Sequence, residues 1–234
     1  MRHAPPMSAH YAERPGTHRA VAAVWMSSTA QTSSALVAAD GCFDLIVRAN
    51  DRDISAFIYR PVPSAHHALA EAGDRFIGVR LQPGWGAALL AHADLLETVE
   101  RRAIEDASAL ESLVARAVDA HKKQPDIVGA FIEEARAAAG TLRLTARTST
   151  THERELQRAC QTWLGMTPKA FLRIERIWAA RNAIQRGIPL AIVAAEFGYA
   201  DQAHLTREAR HLLGMTPREL GAAGNLQDVS APRR

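Results

Sequence analysis

The sequence predicts a two-domain α+β protein. A β-rich amino-terminal domain is followed by an all-α carboxyl-terminal domain of about seven helices holding two helix-turn-helix units. Three observations predict it. Short apolar or alternating runs separated by Gly, Asp, Asn and Pro fill residues 19–82, the pattern of strands and turns. Helical spacing with recurrent glycine stops fills most of the chain beyond residue 84. Most telling, Leu156-Gln157-Arg158-Ala159-Cys160-Gln161-Thr162-Trp163-Leu164-Gly165-Met166-Thr167-Pro168 returns 49 residues later. The second copy is Leu205-Thr206-Arg207-Glu208-Ala209-Arg210-His211-Leu212-Leu213-Gly214-Met215-Thr216-Pro217, with Leu, Arg, Leu and the Gly-Met-Thr-Pro block in register. A fixed-period repeat sets architecture before any single residue does.

Residues 1–17 read as a loose leader with no apolar stretch, and so not as a signal peptide. Val21–Met26, Leu36–Ala39, Phe43–Val47, Ile54–Tyr59 and Phe76–Leu81 are the expected strands. After Pro83-Gly84 the pattern turns helical over Ala87–His92, Leu95–Asp106 and Leu110–His121. The polar stretch His121-Lys122-Lys123-Gln124-Pro125 marks a boundary. Beyond it the expected helices are Ile127–Ala138, Leu142–Thr148, Glu153–Leu164, Pro168–Gln185, Pro189–Phe197, Gln202–Leu213 and Pro217–Ala222. The chain thus divides into a β-rich domain over 1–108, a linker helix and boundary over 109–125, a helical domain over 126–224 and a polar tail over 225–234.

Composition narrows the function classes. With 234 residues and 47% hydrophobic residues the chain is long enough for one or two packed cores. Its net charge of +3 is unevenly spread. Residues 140–234 hold 14 Lys+Arg against 8 Asp+Glu, whereas residues 1–139 hold 14 against 17. A basic carboxyl half beside an acidic amino half suits one polyanion-binding domain and one domain of another kind. Cys42 and Cys160 are the only cysteines, too few for a disulfide framework or a four-Cys zinc site, which fits a reducing cytoplasm. No apolar run approaches the ~18 residues of a membrane span, so no membrane partner is expected.

The repeated block has a local logic. Gly165 and Gly214 can take the left-handed conformation that ends a helix. Thr167 and Thr216 can cap the next helix, and Pro168 and Pro217 suit its first position. Upstream the offset becomes 48: Leu142 matches Leu190, Ala146 matches Ala194, and Thr150 stands where the second copy has Gly198. Each unit therefore reads as a helix, a tight turn and a second helix. In the first copy Leu156, Cys160 and Trp163/Leu164 form the buried stripe, opposite Arg154, Gln157, Arg158 and Gln161. In the second, Leu205, Ala209 and Leu212/Leu213 are buried, opposite Ala203, Thr206, Arg207 and Arg210, with Gln202 and His204 beside them. Arg pairs bidentately with guanine and Gln with adenine. The expected DNA contacts are Arg154, Gln157, Arg158, Gln202, His204, Thr206 and Arg207. Arg158 and Arg207 stand first because they occupy the same place in both copies.

These residues resemble the DNA-binding domain of AraC/XylS-type transcriptional regulators over roughly residues 126–222. The most specific stretch is Val193-Ala194-Ala195-Glu196-Phe197-Gly198-Tyr199-Ala200-Asp201-Gln202-Ala203-His204-Leu205-Thr206-Arg207, running on to Gly214-Met215-Thr216-Pro217. Pro168, Phe171, Arg176, Ile177 and Ala180 are similar to the family's linker helix. The resemblance implies two recognition helices inserted into successive major-groove segments about 34 Å apart. Further partners it implies are a small-molecule effector, a second copy of the chain and RNA polymerase. The amino half has shorter echoes, Asp40-Gly41-Cys42-Phe43-Asp44-Leu45-Ile46 and Gly78-Val79-Arg80-Leu81-Gln82-Pro83-Gly84, similar to a β-rich sensing or dimerisation domain. Cys160 and Ala209 stand where the family has Phe, His152 where it has Ser and Thr150 where it has Gly, which implies a DNA-binding domain less stable than is usual for the family.

No catalytic, metal or cofactor site is expected. His66-His67 would point to opposite faces of a strand, with no ligand-spaced carboxylate or Cys nearby. Cys42 follows a glycine, and either a redox sensor or a small packed thiol fits it. Asp40 and Asp44 do not form an acid–base pair. Two alternatives stay open: a small-molecule-binding or catalytic β-barrel carrying a DNA-binding tail, and a pure interaction module.

Overall fold

Alternation decides the first unit. The computed structural model describes residues 9–92, 94–101, 106–121, 124–139 and 150–222. Seven strands come first: β1 (Ala9–Pro15), β2 (Val21–Thr29), β3 (Ser33–Val37), β4 (Asp44–Ala49), β5 (Ile54–Tyr59), β6 (His66–Ala70) and β7 (Arg75–Leu81). Helices α1 (Gly86–Ala91), α2 (Asp94–Arg101) and α3 (Ala107–Ala120) come next. The strands form a five-stranded sheet in the order β1-β2-β7-β4-β5 and a two-stranded ribbon of β3 and β6. The paired neighbours of the larger sheet run antiparallel.

Successive residues of a strand face opposite ways. One face of the sheet carries Val24, Leu45, Val47, Ile77 and Val79, which share a core with Leu89, Leu95, Val99, Leu110 and Val114 of the three helices. Glu100 of α2 accepts from the Ala56 N–H at 2.7 Å. That carboxylate occupies a donor on the edge strand that would otherwise invite another chain.

The other face is polar and aromatic. Trp25 lies over Gly78, where any Cβ would strike its indole ring. Tyr11 stacks on Trp25 with ring centroids 6.2 Å apart. The indole N–H donates to Asp44 Oδ1 at 2.7 Å, and Arg80 Nε approaches the same carboxylate at 3.3 Å. Burial, and then Glu13, which accepts from the phenol, hold Tyr11 well above its ordinary pKa.

Two buried carboxylates tie the sheet to its turns and to α3. Asp74 accepts from Arg48 Nε at 2.9 Å, Asn50 Nδ2 at 3.2 Å and the Glu71 N–H at 2.8 Å. Glu111 of α3 accepts from the Thr17 N–H, from its hydroxyl at 2.9 Å and from Arg14 at 2.8 Å. Burial pushes both carboxyls up, but these donors outweigh it and hold both below their ordinary values.

Several sequence expectations need correction. β1 occupies the supposed leader, because a charged seven-residue strand lacks an apolar run and owes its state to pairing with residues 23–29 of β2. β6 was not anticipated either, since its members are largely exposed. β2 runs on to Thr29, while β3 starts and ends earlier than Leu36–Ala39. The expected helix Leu142–Thr148 and the tail Asn225–Arg234 lie outside the described residues.

Contacts divide the chain into two units. The first comprises residues 1–35, 42–60 and 67–123. The second comprises residues 36–41, 61–66 and 124–234. Its helices are α4 (Asp126–Ala137), α5 (Thr150–Trp163), α6 (Pro168–Gln185), α7 (Leu190–Glu196), α8 (Gln202–Leu213) and α9 (Pro217–Ala222).

Two outcomes are expected in the first unit. Gly78→Ala lowers stability by about 2 kcal/mol or more, because the new methyl must displace a packed indole; urea denaturation measures it. Asp74 and Glu111 both have depressed folded pKa values, so their stabilisation is present above their ordinary values of 3.8 and 4.5. It is lost as pH falls through the folded values. The denaturation midpoint should therefore drop steeply below about pH 4.5, and Asp74→Asn should flatten that drop.

Candidate nucleic-acid interface

The second unit is assembled on α6. This helix buries Phe171, Leu172, Ile174, Ile177, Trp178, Ala180, Ala183 and Ile184, and a helix apolar nearly all round belongs inside. It touches α4, α5, α7, α8 and α9. Several of its polar groups face specific neighbours. Trp178 Nε1 donates to the Ala39 carbonyl at 2.8 Å, and Arg181 lies 5.0 Å from the Trp178 ring centre. Glu175 lies 3.8 Å from Arg136 of α4.

Both Gly-Met-Thr-Pro blocks act as helix stops and starts. Gly165 and Gly214 have φ of 69° and 72°. Thr167 caps α6 by accepting from the Ala170 N–H at 3.2 Å. Thr216 accepts from the Glu219 N–H at 3.2 Å, and Glu219 accepts from the Thr216 N–H at 2.7 Å, a reciprocal capping box. Hydrogen bonding from the Thr216 backbone, and then from its side chain, holds the Glu219 carboxyl below its ordinary value. The first copy has Ala170 at that position and caps with the threonine alone.

In the second unit of the repeat, Gly198 turns the chain with φ 69°, and the Tyr199 N–H donates to the Ala194 carbonyl at 2.8 Å. Asp201 caps α8 by accepting from the His204 N–H at 2.6 Å. Leu205, Ala209, Leu212 and Leu213 are buried, which fixes the outward face. Gln202, Ala203, Arg207 and Arg210 are exposed on it, and Thr206 is half-buried with its hydroxyl donating to the Gln202 carbonyl at 2.8 Å.

His204 is turned differently from its neighbours. Its Nδ1 accepts from the Ala200 N–H at 3.3 Å, and its ring meets Tyr199 edge-on at 5.3 Å. Arg176 lies over the other side of this cluster, 4.7 Å from the Tyr199 ring centre. Burial pushes the Tyr199 phenol up to about 12, with Arg176 opposing.

The first of the two matched helices begins earlier than expected. α5 starts at Thr150, so the residue matched to Gly198 is helical here rather than part of a turn. Arg154, Gln157, Arg158 and Gln161 are exposed on α5, while Cys160 and Leu164 are fully buried and Leu156 is half-buried. Burial also pushes the Cys160 thiol up to about 12, so it packs as an apolar group. Glu153 and Glu155 are exposed near the start of the helix.

Helical spacing alone groups the exposed arginines and glutamines, whereas the Arg173–Glu208 pair, whose members are 35 positions apart, leaves no local signal in the sequence. Cys42, like Cys160, is buried. His67 sits beside Ser34, 3.0 Å from its hydroxyl. Among the described residues no group of three or more His, Cys, Asp or Glu is placed to hold a metal ion.

Asp201→Ala removes the side-chain cap of α8 and should cost about 1 kcal/mol. Faster amide exchange confined to the first turn of α8 would register it. Unchanged exchange there would mean that the cap contributes nothing.

Residues 145–223 match the family model described as a helix-turn-helix domain. A search of curated proteins finds no significant match. Among solved structures, ToxT from Vibrio cholerae aligns over 93% of this chain and 100% of its own, at 7% identity and a TM-score of 0.43. ToxT from Vibrio cholerae O395 bound to (E)-4-(8-methylnaphthalen-1-yl)but-3-enoic acid aligns over 91% of this chain and 97% of its own, at 9% identity and a TM-score of 0.42. The matched segment spans both copies of the internal repeat, and residues 145–223 are a helix-turn-helix domain of the AraC type.

Proposed function

We propose that the chain is a sequence-specific transcriptional regulator that reads duplex DNA with α5 and α8, in successive major-groove segments about 34 Å apart. The observation that carries this reading is the matched exposure of Arg158 and Arg207, at the same place on two helices of one repeat. Arg154, Gln157, Gln202 and Thr206 flank them as further contacts to bases or phosphates. His204 belongs instead to the scaffold beneath α8, since Ala200 and Tyr199 engage its ring. Exposed Gln161 and Arg210 extend the two faces by one turn.

The first unit is the regulatory part in this reading, taking an effector or a second copy of the chain. A half-open groove of about 410 Å³ is where we would seek an effector. It is lined by Met26, Val47, Ala49 and Ile77, with His10 and Arg75 beside them. The volume suits a small molecule. No described helix is long and apolar enough to cross a membrane. We place the protein in the cytoplasm, acting on promoters and through RNA polymerase, as a binding protein rather than an enzyme.

Selection of bound fragments from the host's genomic DNA, with footprinting at two salt concentrations, tests the reading. Two adjacent protected major-groove segments and a steep loss of affinity with salt are expected. Arg207→Ala should cost about 1–3 kcal/mol and relax preference at one base position. A uniform loss across all sequences would instead mark Arg207 as a phosphate contact. Diffuse, sequence-independent binding by the intact protein would overturn the proposal.

A further inference from the structure

Glu208 follows Arg207 directly in α8 but points at α6 rather than outward. Arg173 grips its carboxylate in a two-pronged pair: Nε lies 3.2 Å from Oε1 and 3.3 Å from Oε2, and Nη2 lies 3.2 Å from Oε2. The Glu208 side chain is 13% exposed, so the pair is sheltered on the carboxylate side. His204 approaches the same carboxylate, Nε2 to Oε1 at 3.9 Å. One turn further along α6, Arg176 covers Tyr199 in the turn that leads into α8. Two arginines of α6 therefore hold the reading helix and its entry turn at separate points.

The apolar stripe of α8 cannot do this alone. Hydrophobic contact is non-directional, and Ala209 at its centre is small. A forked ion pair is directional and fixes both distance and rotation. Recognition by a bidentate arginine tolerates only about 0.5 Å and 10–20° of error in its support. At the position of α5 matched to Glu208 stands Ala159, which has no carboxylate to offer.

We propose that Arg173 and Glu208 are positioning residues that set the rotation of α8 for base reading. The two recognition helices are then unequally fixed, with the sharper base preference in the half-site of α8. This inference rests on the reading of α8 as a recognition helix.

Selection from a randomised duplex pool tests it, using the full chain. The wild type should yield a motif of two halves, and Arg207→Ala identifies the half that α8 reads. Arg173→Ala, Glu208→Ala and the double variant should each blur that half and leave the other intact. The ratio of affinity for the selected site to affinity for a random duplex should fall roughly tenfold. The double variant keeps the wild-type net charge and should lose no more than either single variant, because both act through one pair. Arg173→Lys, which keeps the charge but not the fork, should fall between. An unchanged motif in all variants overturns the proposal. Equal blurring of both halves in step with a lower melting temperature does so too, since the pair would then only stabilise the fold. A wild type that selects no motif removes the reading of α8 itself, and the proposal with it.

Discussion

A helix buried on almost every side must find partners for its own polar groups, and α6 sets the second unit by the way it does so. Its apolar residues give five neighbouring helices a common surface. Its Trp178, Arg173, Arg176 and Glu175 each reach a different neighbour. Burying such groups with no neighbour of suitable charge would cost several kcal/mol; facing these neighbours, they make each neighbour's position specific. The Gly-Met-Thr-Pro blocks then fix where helices end and begin around this axle.

The first unit solves a different problem. Its sheet has one apolar face under three helices and one face on which Trp25, Tyr11, Asp44 and Arg80 satisfy one another. The absent side chain of Gly78 makes room for the indole. Asp74 and Glu111 anchor turns and helix through hydrogen bonds that outweigh the cost of their burial. Ionised carboxylates thus serve as structural joints, and the unit depends on their charge.

How much of this was legible depended on how local its cause is. Helices α6, α8 and α9 were read with their observed bounds because their stops and caps lie within a few residues of each other. The strand β5 was likewise clear from its own alternation. β1 was not, since pairing with β2 rather than composition makes it a strand. Thr150 was expected in a turn because its counterpart is Gly198, but it opens α5. On α5 and α8, the exposure of Arg158 and Arg207 followed from helical spacing, whereas the contacts of His204 depend on Tyr199 and Ala200. The place of residues 36–41 and 61–66 in the second unit had no sequence signal, because it rests on bonds between distant parts of the chain.

Those two segments reach α8 through main-chain atoms. The Ala39 N–H donates to the Leu212 carbonyl at 2.8 Å and the Ala65 N–H to the His211 carbonyl at 2.8 Å, and so occupy carbonyls that the end of a helix leaves open. A bond between backbones does not depend on which side chain stands at either position. Residue identity at 39 is limited by burial, Ala39 being fully enclosed, rather than by this bond, and proline, which lacks the N–H, would remove the attachment at either position. The attachment is inherited with the path of the chain and leaves little trace in its letters.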